Sequence, residues 1–298
     1  MRQTTRLVSL AEILLVTLIW SSSFIGVKIA LRYTGPFTVA GLRYFLAFVF
    51  LLPWLCKKRA DLALVNPAMW GRLILMGATQ YVLGNGALFW SLKTLPATTG
   101  SLALCLSSIP VLVLARLWLK ERLNRMQVVG VFIALAGSVF FFSRGLVLAG
   151  SGFALGSLGV AVLSISMFPI LVREIARDRQ VGTVILTAVP LGIGGGTLLL
   201  LAVAVEGVPH LPLVAWGVVL GLALVNTLLA YLLYNHSLQH ITAVEANVLL
   251  NLAPFGTALI AWGTLGEQLT LLQVAAMVLV VIGASLAQRR KARVVLSN

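Results

Sequence analysis

Apolar runs long enough to cross a bilayer recur along this chain, each closed by charge, glycine or proline. Hydrocarbon offers no water to backbone N–H and C=O groups, so a run of about 20 apolar residues is stable there as a helix that closes its own hydrogen bonds. The runs fall near 9–31, 37–55, 71–92, 96–117, 126–143, 153–172, 181–204, 212–234, 243–265 and 269–287. The fold class they predict is an all-α membrane protein of ten transmembrane helices. Composition agrees: 60% hydrophobic and 10% charged residues, with a mean hydropathy of +1.03, exceed what one soluble core hides. Ten spans in 298 residues leave almost nothing for a soluble domain, so any chemistry sits inside the bundle. The first run follows Arg2 and Arg6 as a signal peptide would. It is too long for one, carries Glu12 and leads into further spans, so it reads as a retained helix.

The formal net charge of +14 needs a partner. Nucleic-acid binding requires basic residues gathered on one solvated face with stacking aromatics. Here they fall between apolar runs, which makes anionic membrane lipid the partner. Positive residues near span ends resist transfer across the membrane and so report orientation. With the N-terminus in the cytoplasm, 17 of the 22 Lys and Arg lie inside; Lys28, Arg32, Lys93 and Arg144 lie outside, and Arg43 falls within a span. Both termini are therefore expected in the cytoplasm. Cys56 and Cys105 sit on different spans without metal-ligand spacing, so neither a disulfide framework nor a zinc site is indicated.

Shifted by 146 residues, the chain superposes on itself without a gap. Ser91-Leu92 falls on Ser237-Leu238, Leu95 on Ile241, Ala97 on Ala243, Glu121 on Glu267, Gln127 on Gln273 and Gly137 on Gly283. Apolar matches are common between any two membrane spans, but acidic matches are not. Only eight acidic residues exist, and two of them fall in register just ahead of the same predicted helix. The repeats divide the chain into 1–144 and 145–298, five spans each. Five is odd, so the second copy enters the membrane from the opposite side. Inverted repeats give a transporter two arrangements of similar energy, one open to each side, with the substrate near the midplane between the halves.

The residues that repeat also resemble a known family. Trp20-Ser21-Ser22-Ser23-Phe24 with Lys28, Arg43 in the second span, Ser91-Leu92 through Pro96-Ala97, Lys120-Glu121-Arg122-Leu123, and Pro254 through Gly266-Glu267-Gln268-Leu269 resemble the EamA type of the drug/metabolite transporter superfamily over essentially the whole chain. Within it the chain looks most like the YddG-type aromatic amino-acid exporters of bacteria. The resemblance implies ten helices in two five-helix repeats, a bacterial inner-membrane location and export of aromatic and other neutral amino acids. One departure is visible: Pro254 is matched in the first repeat by Ser108, with Pro110 two residues later, so helix bending need not be symmetric.

Polar side chains in a lipid-facing bundle are costly unless paired or facing water. Gln80, Tyr81, Gly84 and Asn85 cluster on one face in the middle of the third span. At the 146-residue shift Gln80 lands on Asn226 and Asn85 on Tyr231, while Ser101 lands on Asn247, Cys105 on Asn251 and Ser108 on Pro254. These four helices are expected to wall one cavity, with Gln80, Tyr81, Asn85, Ser108, Asn226, Tyr231, Asn247 and Asn251 as substrate-binding candidates. Interhelical hydrogen bonding, worth about 0.6–2 kcal/mol apiece, accounts for the same residues equally well. Trp20 lies at the centre of the first span with Phe24 one turn on, and offers either a stacking wall to a ring-bearing substrate or core packing. Met167, at the corresponding depth of the sixth span, would fill the opposite wall adaptably. Trp54, Trp70, Trp118, Trp216 and Trp262 lie near span ends, as an interfacial belt requires.

No Asp, Glu or His is expected near the midplane, since Glu12, Glu121, Glu245 and Glu267 lie near span ends. Arg43 and Lys28 are candidates to hold a substrate carboxylate, although snorkelling to the headgroups is the commoner role for such residues. His236 and His240 are spaced for one helix face, but no acidic residue or cysteine adjoins them in sequence, so no metal site is expected. Gly192-Ile193-Gly194-Gly195-Gly196 lacks the strand and the Lys-Ser/Thr of a phosphate loop and reads as close helix packing or a bend, as does the Gly217–Gly221 pair. An intramembrane enzyme needs a nucleophile with a base, or convergent carboxylates and histidines. A sugar-phosphate carrier needs several basic groups in its cavity. Neither pattern is present, nor is an ATP-binding motif. The expectation is a secondary transporter of small amphipathic solutes that uses no cofactor or metal.

Overall fold

The computed structural model describes residues 2–63, 65–121, 124–145, 152–178, 181–266 and 270–287. Among these residues every regular element is helical. α1 (Arg2–Ala30) and α2 (Pro36–Lys57) are long rods, and Pro36 occupies the first turn of α2, where a missing N–H is harmless. After the short α3 (Arg59–Ala63), α4 (Pro67–Met76) opens on Asn66, whose side chain accepts a hydrogen bond from the Met69 N–H. α4 continues through a π-helical segment, Gly77–Asn85, into α5 (Gly86–Leu92). α6 (Ala97–Ala103) passes through a 3-10 turn, Leu104–Ser107, into α7 (Ser108–Leu117). Next come α8 (Arg125–Gly145), α9 (Gly152–Asp178) and α10 (Thr183–Glu206). α11 (Leu213–Ala223) runs through a second π segment, Leu224–Leu229, into α12 (Ala230–Ser237). α13 (Ala243–Leu250) and α14 (Ala253–Leu265) are divided by a turn at Asn251 and Leu252, and α15 (Leu271–Ala287) closes the described chain.

Among the described residues, seven stretches are long and apolar enough to cross a membrane: Thr5–Ala30, Pro36–Lys57, Ala97–Leu117, Gly152–Ala176, Thr183–Glu206, Leu213–Ser237 and Ala243–Thr264. Arg125–Phe140 and Leu271–Gly283 are shorter apolar helices. The stretch from 67 to 92 falls outside both groups; Gln80 and Asn85 dilute its apolar character midway.

The 146-residue register reappears in the elements. Pro67 and Leu213, Ala97 and Ala243, and Arg125 and Leu271 each open matching helices that distance apart. Both repeats carry a π segment within the third long stretch and a break within the fourth. Matching helices also pack on each other: α2 lies along α10 and α8 along α15. Glycine sets these crossings. A Cβ on Gly137 would lie 2.7 Å from the Ala276 carbonyl oxygen, and one on Gly283 would collide with the Ala134 backbone. Gly194 and Gly195 do the same for α10, where added Cβ atoms would meet Tyr81 Cβ and the Phe45 backbone nitrogen, each at 2.5 Å. Gly217 and Gly221 differ from expectation: nothing lies within 4 Å of a Cβ at either, so that pair forms no helix crossing among the described residues.

Ion pairs gather where α1 begins and α12 ends. Arg6 reaches Glu245 at 2.9 Å, His236 Nδ1 lies 2.9 Å from Glu12, and Arg173 lies 3.5 Å from Glu121. Arg173 also donates to the Leu238 carbonyl at 2.7 Å, and Arg72 pairs with Glu174 at 3.2 Å. Glu245 completes a capping box with Thr242 at the start of α13. At the opposite end of α10, Glu206 accepts from the Phe37 and Thr38 N–H groups, satisfying the otherwise unpaired first turn of α2. Glu267, Arg122, Arg179, Arg289, Arg290, Lys291 and Arg293 lie outside the described residues.

Candidate functional site

A cavity of about 80 Å³ lies within the bundle, lined by Trp20, Ser23, Phe24 and Val27 of α1, Arg43 of α2, Gln80 and Asn85 of the first π segment, Leu88, Phe89 and Leu92 of α5, and Leu104, Ile165 and Tyr231. Local backbone geometry explains why polar groups arrive here on apolar helices. In the first π segment the Asn85 amide donates to the Gln80 carbonyl five residues back at 2.7 Å, and in the second the Thr227 hydroxyl donates to the Leu222 carbonyl five residues back at 2.9 Å. Each side chain thus serves a carbonyl at π spacing, and such bulges are common where helices carry function. Gln80 Nε2 then donates to Tyr231 Oη at 2.9 Å, bridging the repeats across the cavity. Gln80 Oε1 is buried without a protein partner.

An aromatic cluster forms one wall. The Trp20 ring centroid lies 5.2 Å from Tyr231 and 5.3 Å from Tyr234, and the Trp20 indole N–H donates to the Asn226 carbonyl at 3.0 Å. Tyr81 stacks obliquely on Tyr44 at 4.8 Å and meets Tyr231 at 5.4 Å, while Phe168 lies parallel to Tyr234 at 5.6 Å. These distances suit offset and edge contacts between rings.

Of the ten candidates drawn from sequence, the structure brings Trp20, Gln80, Asn85 and Tyr231 to the cavity lining, with Tyr81 packed behind Tyr231. Asn226 lies beside them, its amide donating to the Ile19 carbonyl and to Ser22 Oγ, which fastens the second π segment to α1. Ser108, Asn247 and Asn251 form a separate buried network: Ser108 donates to Asn247 at 2.9 Å, Asn247 to Ser107 at 3.1 Å and Asn251 to Ser108 at 2.8 Å. Met167 packs against the core, and its neighbour Ile165 lines the cavity.

Arg43 does not snorkel. It is 3% exposed, and its guanidinium donates from Nε to Thr227 Oγ1 at 2.6 Å, from Nη1 to Ser23 Oγ at 2.6 Å and from Nη2 to the Asn226 carbonyl at 2.9 Å. It also lies over the rings of Tyr44 and Phe89 at 5.2 and 5.7 Å. Its position seven residues beyond Pro36, about 10 Å along the helix axis, was the sequence signal that it sits too deep to reach the headgroups easily. Lys28 donates to the carbonyl of Leu92, a lining residue, at 3.1 Å, and does not itself line the cavity. Glu12 reaches His236 and Ser237 from α1, a pairing invisible in sequence, but no set of three metal-ligating groups forms among the described residues.

The EamA-like transporter family profile matches residues 8–143 and again 151–288, one match for each repeat. The chain belongs to the EamA-like transporter family. It is a multi-pass membrane protein built from two EamA-like units, and this membership indicates a transporter, not an enzyme. Among its relatives, the uncharacterized transporter YyaM of Bacillus subtilis (strain 168) is 27% identical over 214 residues, 68% of each chain. The uncharacterized transporter YoaV of the same organism is 23% identical over 264 residues, 87% of this chain and 89% of that one. A solved crystal structure shares the fold with a TM-score of 0.75 at 18% identity, over 97% of both chains.

Proposed function

We propose that this chain is a secondary transporter that exports small amphipathic solutes, aromatic and other neutral amino acids foremost, resembling the YddG-type exporters. In this reading ten helices form two inverted five-helix repeats, 1–144 and 145–298, and the protein sits in a bacterial inner membrane with both termini in the cytoplasm. The carrying observation is the cavity between the repeats: ring faces from Trp20 and Tyr231, amides from Gln80 and Asn85, and one buried cation in an otherwise apolar lining. Rings suit a ring, and amides suit the polar head of an amino acid. Alternating access would bring a solute to this space as the repeats part and close around it.

Trp20, Gln80, Tyr81, Asn85 and Tyr231 are the direct contacts in this reading. Asn226 positions them, and Met167, Ser108, Asn247 and Asn251 hold the adjoining helices. Purified protein in liposomes, assayed for flux of amino acids, sugar phosphates and cationic drugs, tests the assignment. Phenylalanine flux well above protein-free vesicles is expected. Flux confined to sugar phosphates or cationic drugs would replace it.

A further inference from the structure

The transport reading places the Arg43 cation in the cavity without assigning what neutralises it. A buried charge far from water is costly unless an opposite charge neutralises it. Arg43 has neutral oxygens and ring faces for company, and no described carboxylate pairs with it. Among the described residues, carboxylates are engaged elsewhere: Glu12 with His236, Glu121 with Arg173, Glu174 with Arg72, Glu206 with the start of α2, Glu245 with Arg6 and Asp61 with Lys58. Three guanidinium N–H groups are used by Thr227, Ser23 and Asn226, which leaves one on each terminal nitrogen beside the cavity. The neutral acceptors hold the guanidinium plane in place without cancelling its charge. Among the described residues no acidic side chain lines the cavity to receive a substrate ammonium.

We infer that Arg43 is the carboxylate-binding residue of this cavity, and that the recognised class is an apolar or aromatic monocarboxylate whose amino group is dispensable. The inference rests on the proposal that this cavity is the translocation site. A carboxylate supplies the missing opposite charge through charge-assisted hydrogen bonds, the strong kind. The apolar tail meets Phe24, Leu88, Phe89 and Ile165. An ammonium, where present, finds neutral oxygens such as those of Gln80 and Asn85 and ring faces, but no carboxylate among the described lining residues, so its removal costs little.

The test compares the wild-type protein in liposomes on four labelled solutes: phenylalanine, 3-phenylpropionate, phenylalaninamide and phenethylamine. Flux of 3-phenylpropionate within about threefold of phenylalanine is expected, with both amines slower by about tenfold or more, as loss of a charged hydrogen-bond partner implies. Equal flux of phenylalaninamide and phenylalanine would overturn the inference while leaving the transporter reading intact. Flux of 3-phenylpropionate without phenylalanine would overturn the amino-acid reading and leave the role of Arg43 standing. Absence of all four fluxes would overturn both.

Arg43 also ties three helices together, so Arg43→Met needs a companion. Arg43→Lys keeps the charge and should retain the preference for carboxylates at reduced rate, whereas Arg43→Met should abolish it. If Arg43→Met does not purify as a folded protein, the wild-type panel decides alone. A purely structural role for Arg43 predicts no discrimination between acid and amide in the wild type.

Discussion

Trp20 shows how one side chain holds a helix and faces a substrate at once. Its indole N–H is spent on the Asn226 carbonyl, so the ring is fixed in orientation, with Tyr231 and Tyr234 near its faces and edges. Trp20→Ala should therefore lower phenylalanine flux about five- to tenfold more than threonine flux, the scale of one aromatic contact; parallel liposome assays of the two substrates measure it. Equal losses would assign Trp20 to packing alone. The amides divide by partner. Gln80→Ala and Asn85→Ala should cut flux per folded molecule, whereas Ser108→Ala and Asn247→Ala should lower thermal stability by about 0.6–2 kcal/mol and leave flux per molecule near wild type. Detergent unfolding curves beside flux assays separate the two groups. Sequence revealed the polar face of the third long stretch because Gln80 and Asn85 interrupt an apolar run. It did not separate lining from bonding roles, since both place an amide on the inner face of a helix. Partner choice depends on how far the facing backbones stand apart, and only the folded chain sets that distance.

At the scale of elements, the repeat was the most legible feature. Residue matches set the 146-residue register, and the structure opens matching helices that distance apart at Pro67 and Leu213, Ala97 and Ala243, and Arg125 and Leu271, where apolar runs alone placed the starts near 71 and 212, 96 and 243, and 126 and 269. The π segments were not legible. A single inserted turn leaves the apolar pattern almost unchanged, and its signature is a hydrogen bond from Asn85 or Thr227 to a carbonyl five residues back. Glycines were legible as a class but not by role. Gly137 and Gly283 match in register and lie where α8 crosses α15, while Gly217 and Gly221 face open space. Gly137→Ala should cost about 1–3 kcal/mol, because its Cβ meets backbone that cannot swing aside. Gly217→Ala should be neutral or stabilising, by up to about 1 kcal/mol, through helix propensity. Unfolding midpoints of the two variants in the same detergent provide the comparison, and equal destabilisation would contradict the assigned crossings.

For the whole molecule, orientation and coupling follow from where charge lies. Cys56 is exposed beside the Lys57–Arg59 cluster, and Cys105 is buried. An impermeant maleimide should label Cys56 only after cells are opened, whereas Arg144→Cys in a Cys56→Ser background should label in intact cells. The reverse pattern would contradict the expected orientation, and labelling of both positions from the same side would contradict the inverted-repeat arrangement. Glu245 and Glu121 pair with Arg6 and Arg173 near helix ends and Glu12 pairs with His236, while the described lining residues of the cavity include neither an acid nor a histidine. Flux should therefore need no proton exchange, with the substrate gradient setting direction. Glu245, fully buried against Arg6, is the group to watch. Concentrative phenylalanine uptake driven by a pH gradient, and abolished by Glu245→Gln, would establish proton coupling instead.

The central claim is gradient-driven passage of a carboxylate-bearing aromatic solute through the cavity between the repeats. It is tested most directly by loading proteoliposomes with labelled phenylalanine at uniform pH, following net flux, and then reversing the concentration gradient. Net flux should follow the gradient in both directions and fall sharply in Gln80→Ala vesicles. Flux no greater than in protein-free vesicles in either direction would contradict it.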